Sequence, residues 1–133
     1  MNPEPLKKKV LVVDDETSLL EILELVLTEA GYETQTATNE VEGLRAFLKE
    51  PWDAVVVDRA MPEMNGEELA QAIRTLAPHI PLIMITGFID AVSHRELFDL
   101  IIAKPFRPAN LLAHLSRLLA RKTGTAVFCG VSN

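Results

Sequence analysis

Short apolar runs in this chain stop, one after another, at a polar residue. Val10–Val13 ends at Asp14 and Asp15, Ala54–Val57 at Asp58, Leu82–Ile85 at Thr86, and Leu100–Ala103 at Lys104. Runs this short, apolar on successive positions, suit strands that are covered on both faces. Helix patterns lie between them. Leu19, Ile22, Leu23, Val26, Leu27 and Ala30 fill a broad arc of a helix expected over about 17–30, which Gly31 stops. Val41, Leu44 and Leu48 mark a second helix, and Leu69, Ala72, Ile73 and Leu76 mark a third. A short helical stretch is expected over about 90–98, and a last helix over 108–121 with Pro108 in its first turn. The run 34–38 is β-prone but polar, which suits an edge strand. These are five strand–helix units, so the expected fold is a doubly wound α/β domain with a parallel sheet.

The length of 133 residues gives one domain room to bury a real core. Residues 7–121 are expected to form it, with an arm over 1–6 and a tail over 122–133 in which no DNA-binding unit would fit. The formal charge of −6 argues against a nucleic-acid partner, because phosphate neutralisation needs a basic face. Cys129 is the single cysteine and cannot form an internal disulfide. It is expected to be an inert thiol in a reducing cytoplasm. No run approaches the roughly 18 apolar residues of a membrane span, and the lysines at 7–9 lead into no signal-peptide core.

In doubly wound folds ligands bind beyond the carboxyl ends of the strands. That rim would gather Asp14, Asp15, Asp58, Thr86 and Lys104. Clustered carboxylates repel, and a hard divalent cation resolves the conflict. Oxygen ligands with positions left for water and phosphate suit Mg²⁺. Lys104 would offer a point charge and Thr86 a hydroxyl to a phosphoryl oxygen, with one carboxylate free as nucleophile. His79, His94 and His114 are scattered and lie at no strand end.

Four motifs, in this order and at these strand ends, resemble the receiver domain of bacterial two-component response regulators. They are Val12-Val13-Asp14-Asp15-Glu16, Val57 to Gly66 with Asp58 near its start, Ile85-Thr86-Gly87, and Lys104-Pro105-Phe106. The resemblance implies a flavodoxin-like (βα)5 fold with strand order 2-1-3-4-5. It implies that Asp58 is the phosphoacceptor and that Asp15, Asp58 and the Ala60 carbonyl bind Mg²⁺, with Asp14 acting through water. Thr86 and Lys104 would grip the phosphoryl oxygens, and the Lys104–Pro105 peptide would be cis. The partner would be a sensor histidine kinase or a histidine phosphotransfer protein, with the first helix as much of its docking surface. The chain would be no enzyme in the ordinary sense, only a bacterial phosphoaspartate-forming protein that catalyses its own phosphorylation and slow dephosphorylation. A monomer is expected, either standing alone, serving a phosphorelay, or as the receiver of a hybrid kinase.

Two departures stand out. The family's switch pairs the Thr with an aromatic residue, and here that position is Ile101. The stretch from Thr86 to Lys104 is also shorter than usual by about one helical turn, so the fourth helix or its connection must be trimmed. Both changes weaken the usual output face. Ala60 and Phe88 offer no side chain to orient water, which suggests slow loss of the phosphoryl group. Two other readings stay open. A phosphatase of the haloacid dehalogenase class also uses an Asp after a strand, but its acid/base Asp would stand at Ala60. A flavodoxin-like binding module would need a hydroxyl-rich first loop, and this loop is acidic.

Overall fold

The computed structural model describes residues 7–59 and 66–122. The arm 1–6, Ala60, residues 61–65, and the tail with Cys129 lie outside the described residues. The strands are β1 (Lys9–Asp14), β2 (Glu33–Ala37), β3 (Ala54–Arg59), β4 (Leu82–Thr86) and β5 (Leu100–Ala103). The α-helices are α1 (Thr17–Glu29), α2 (Glu40–Lys49), α3 (Gly66–Leu76) and α4 (Pro108–Lys122). All pairings are parallel and the sheet order is β2-β1-β3-β4-β5. The polar strand is therefore an edge, as its composition requires.

Alternation along the central strands separates two cores. Leu11, Val13, Val55, Val57, Leu82 and Met84 face α2 and α3. Val10, Val12, Ala54, Val56, Ile83 and Ile85 face α1 and α4. Covering on both sides is why these runs are apolar at every position.

Local chemistry sets the turns. Gly31 takes φ +102 behind α1, the Tyr32 N–H donates to the Leu27 carbonyl at 3.0 Å, and the Gly31 N–H donates to Thr28 at 3.0 Å. That pair closes the last helical turn in the Schellman manner and needs the left-handed residue. Asn39 Oδ1 accepts from the Glu42 N–H at 2.8 Å, and Glu42 Oε1 accepts in return from Thr38. These reciprocal bonds start α2 after the polar edge strand and hold the Glu42 carboxyl below its usual range. A Cβ at Gly43 would meet Val13 Cγ2 at 2.9 Å, so α2 lies close on β1 because this residue is glycine.

The structure differs from expectation in its helices. In α1 the buried stripe is Leu20, Leu23 and Leu27, while Ile22 is 52% exposed and Ala30 is exposed. A helix resting on a sheet buries the narrow i, i+3, i+7 row, and Ile22 lies outside it. On α2, Val41 and Leu48 are exposed, and Gly43 and Ala46 are the buried positions. The larger difference lies between β4 and β5. No α-helix forms over 90–98; two short 3₁₀ turns, Ile89–Ala91 and Arg95–Leu97, stand there. The connection 87–99 is short, and its apolar residues Val92, Leu97 and Phe98 are buried in the core beside α3 without forming a helix face.

The place of the missing helix is filled by single side chains. Val92, Leu97 and Phe98 are buried in the core shared with α3, and Ile101 packs against that core. Arg74 of α3 secures the same segment. Its guanidinium donates to the carbonyls of Leu97 (2.7 Å), Ile80 (2.7 Å) and Pro78 (3.1 Å) and to Asp99 Oδ2 (2.8 Å). Asp99 Oδ2 also accepts from the Leu82 N–H at 2.8 Å, which ties the start of β5 to the start of β4. No helix among the described residues is long and apolar enough to cross a membrane.

Candidate functional site

Parallel pairing brings the expected side chains together at one rim. Asp14 and Asp58 are register partners on neighbouring strands, as are Thr86 and Ala103, the residue before Lys104. Neighbouring strands run about 4.8 Å apart, so the two carboxylates are forced side by side. Asp14, Asp58 and Thr86 are all fully buried, whereas Asp15 and Glu16 are exposed on the loop that follows β1.

Lys104 reaches over this rim, with Nζ 2.7 Å from Asp58 Oδ1. The approach is a charge contact without the direction of a hydrogen bond, and Asp58 Oδ2 has no hydrogen-bond partner among the described residues. Asp14 Oδ1 accepts from the Glu16 N–H at 3.0 Å and so holds the turn from β1 into α1, while its buried Oδ2 has no partner. The Lys104–Pro105 peptide is cis, as expected. Thr86 Oγ1 accepts from the Phe88 N–H at 2.9 Å, and its hydroxyl hydrogen is free to turn.

The electrostatics follow from this crowding. Burial pushes the Asp14 carboxyl up to about 7, against the Glu16 N–H that lowers it, and the Asp58 charge adds to the rise. Burial also raises Asp58, with Glu16 and Asp15 contributing, and the Lys104 ammonium opposes the rise without cancelling it. A rim of this kind stores unfavourable charge until a cation or a phosphoryl group with a cation arrives.

Among the described residues no three acidic, imidazole or thiol side chains stand together as a ready-made metal cluster. The donor set nevertheless fits a hard cation. Three buried carboxylate oxygens lack hydrogen-bond partners, and they belong to the two residues that register pairing brings together. Asp15 stands at the exposed edge of the same rim, and Ala60, whose carbonyl was expected to join it, lies outside the described residues.

The other singled-out residues divide. Ile101 is half-buried beside its register partner Met84, inside the core and not at the rim. His79 is exposed near the start of β4, His94 is exposed with φ 55, and His114 contacts Arg117. None of the three reaches the rim. Sequence reasoning missed Glu67, Arg74 and Ser93, which hold the connection between β4 and β5. The available signal was the shortness of 87–99, since a crossover without a helix must be held by side chains from a neighbour.

Comparison with known proteins points the same way. The response regulator receiver domain family matches residues 10–116. The chain is 39% identical over 131 residues to a probable transcriptional regulator, ycf27, of Pyropia yezoensis, covering 96% of this chain and 54% of that protein. It is 33% identical over 120 residues to the alkaline phosphatase synthesis transcriptional regulatory protein PhoP of Bacillus subtilis, covering 87% and 50%. The chain thus spans about half the length of these curated relatives. Among solved structures, a receiver domain from Clostridium thermocellum superposes with a TM-score of 0.80 at 30% identity, covering 87% of this chain and 97% of that one. The response regulator TrrA of Thermotoga maritima, in complex with Mg²⁺ and BeF, gives 0.75 at 33% identity, covering 84% and 98%.

Proposed function

The chain belongs to the response regulator receiver domain family, and on that premise we propose that Asp58 is its phosphoacceptor. Phosphoacceptance in two-component signalling is the function of that family. The observation that carries the assignment to Asp58 is the Lys104 ammonium 2.7 Å from a buried carboxylate that register pairing sets beside Asp14.

In this reading a carboxylate oxygen of Asp58 attacks phosphorus and the bond from phosphorus to the donor breaks. With a phosphohistidine donor whose second ring nitrogen carries a proton, the P–N electron pair stays on the ring, a neutral imidazole leaves and an acyl phosphate remains. Asp58 Oδ2, with no hydrogen-bond partner among the described residues, is the oxygen available for attack. Lys104 then meets the new charge, which for a phosphoryl group is about −1.5 to −2. Thr86 donates its hydroxyl hydrogen to a phosphoryl oxygen while its oxygen keeps the Phe88 N–H. The protein supplies position and charge more than covalent help.

Mg²⁺ fits the oxygens of Asp14 and Asp58 that lack partners, with Asp15 and the Ala60 carbonyl completing the set. When bound it would neutralise the carboxylates and the incoming phosphoryl oxygens. Both phosphorylation and slow dephosphorylation would then be catalysed by the chain itself, in a bacterial cytoplasm. The donor would be a sensor kinase or a histidine phosphotransfer protein. Relatives named as transcriptional regulators carry about as much chain again, so the absence of a nucleic-acid partner is proposed for residues 7–121 alone.

Intact-mass measurement after treatment with acetyl phosphate and Mg²⁺ tests the assignment. One phosphoryl group should be added to the wild type and none to Asp58→Asn. Undiminished labelling of the Asn variant would move the phosphoacceptor elsewhere.

A further inference from the structure

The segment after Thr86 is held unevenly. Glu67, buried in the first turn of α3, accepts from the Ser93 N–H at 3.0 Å, with Ser93 Oγ at 3.4 Å. Beyond that point the chain is fixed again by buried Leu97 and Phe98 and by Arg74. Before it, residues 87–91 are held at one point by a side chain, the Arg95 guanidinium donating to the Ile89 carbonyl at 2.6 Å, and the turn Ile89–Ala91 lies beside β5. Phe88 is 52% exposed, Asp90 is exposed, and a Cβ at Gly87 would meet nothing within 4 Å. The tie of this segment to the site is the Phe88 N–H on Thr86 Oγ1. Any shift of the Thr86 hydroxyl therefore enters a loosely packed segment and meets buried Val92 and the Ser93 anchor next.

We propose that Glu67 is a positioning residue for the phosphorylation response. By holding Ser93 it confines the shift of Thr86 to residues 87–91, so that Phe88 is presented differently while β5 and α4 stay in place. The physical argument has two halves. A buried carboxylate that accepts a backbone N–H makes a strong, directed bond, and losing it leaves a donor unsatisfied. Segments with few buried contacts open and move at low free energy, whereas packed ones move only as units. Ile101 fits this division, since it packs against the core that Val92, Leu97 and Phe98 enter. The surface most open to change is then the one that carries half-exposed Phe88.

The proposal rests on Asp58 as phosphoacceptor, so its test is read beside the mass measurement. Amide hydrogen exchange is compared with and without Mg²⁺ and beryllium fluoride in wild type, Glu67→Ala and Glu67→Gln. In the wild type, exchange should change in peptides covering 86–92 and at Lys104, which meets the phosphoryl group itself, and remain unchanged over 100–103 and 108–122. In Glu67→Ala the change should spread into 93–103. Glu67→Gln keeps an acceptor oxygen at the same reach and should restore the wild-type pattern, which a general loss of stability would not do. If the Ala variant does not fold, Glu67→Asp, one methylene short, replaces it. Changes that already extend over β5 and α4 in the wild type would overturn the proposal. So would a Glu67→Ala pattern identical to that of the wild type, or no change in any peptide of a protein that acetyl phosphate labels. A wild type that takes up no phosphoryl mass would instead overturn the reading of Asp58.

Discussion

At the carboxyl ends of β1 and β3 the backbone is regular and the side chains are poorly satisfied. In the connection from β4 to β5 the reverse holds. Asp14 and Asp58 sit in perfect strand register, yet three of their oxygens lack hydrogen-bond partners. Residues 87–99 form no α-helix, yet Arg74 and Glu67 of α3 reach across to them and Val92, Leu97 and Phe98 fill the core. Regularity and stability are therefore separate properties here. The regular region stores repulsion that a cation and a phosphoryl group can relieve. The irregular region is held by specific contacts from Val92 onward and resists change there.

Breaking the held region should give the largest effects. Phe98 is 8% exposed and packs in the core beside α3. Phe98→Ala should destabilise the fold by about 3 kcal/mol, as buried aromatic truncations do. Denaturant unfolding measures it, and a loss under about 1 kcal/mol would mean that the crossover collapses to fill the space. Arg74→Met comes next. It keeps the apolar stem but takes the donor from the carbonyls of Leu97 and Ile80, while Asp99 Oδ2 keeps the Leu82 N–H. The expected loss is about 2 kcal/mol, from acceptors stripped of partners in a part-buried place. Equal stability of this variant and the wild type would show that water replaces the guanidinium.

How much of this was legible in the sequence depends on range. The strands and the rim were legible, because parallel strands buried on both faces are written as continuous apolar runs whose ends must be polar. Gly31 and Pro108 marked helix ends by backbone chemistry alone. The position of Ile22 was not legible, since a wheel shows which residues share an arc but not how much of it a sheet and α4 can cover. The connection after Thr86 was misread as a helical stretch because Val92, Leu97 and Phe98 look like helix-face residues in isolation. The core they enter includes Leu69, Ala70 and Ile73 of α3, which are distant in sequence. The roles of Glu67 and Arg74 depend on the same distant packing, and no local pattern records it.

The poorly satisfied region should respond in the opposite direction. Asp14 keeps its proton in the fold up to about pH 7, whereas an unfolded Asp loses it near 4. Between these values the native state binds more protons, so without metal stability falls as pH rises from about 4 to about 7. Asp14→Asn removes the part of that dependence that Asp14 contributes and leaves the part that comes from Asp58. At pH 8 and without metal the variant should be more stable by about 1–3 kcal/mol, offset in part by the lost Asp14 charge near Lys104. At pH 4 the difference should nearly vanish. Mg²⁺ should narrow the gap at pH 8, because it stabilises only the form that binds it. Thermal unfolding at both pH values, with and without Mg²⁺, measures all of this. A variant that is less stable at pH 8 would mean that Asp14 holds the β1–α1 turn more than it repels Asp58.

The smallest effect comes from the residue that sets the two regions apart. Phe88 and Phe98 lie in the same connection, but Phe88 is 52% exposed where Phe98 is 8% exposed. The contact of Phe88 with the site is its backbone N–H on Thr86 Oγ1, which any residue but proline supplies. Phe88→Ala should therefore change stability by less than about 0.5 kcal/mol, as surface substitutions usually do. It should also leave the mass added by acetyl phosphate unchanged, since Asp58 and Lys104 are untouched. Denaturant unfolding and intact mass on one preparation check both. A loss approaching that of Phe98→Ala would mean that the ring is packed in solution, and that the loosely held segment belongs to the core after all.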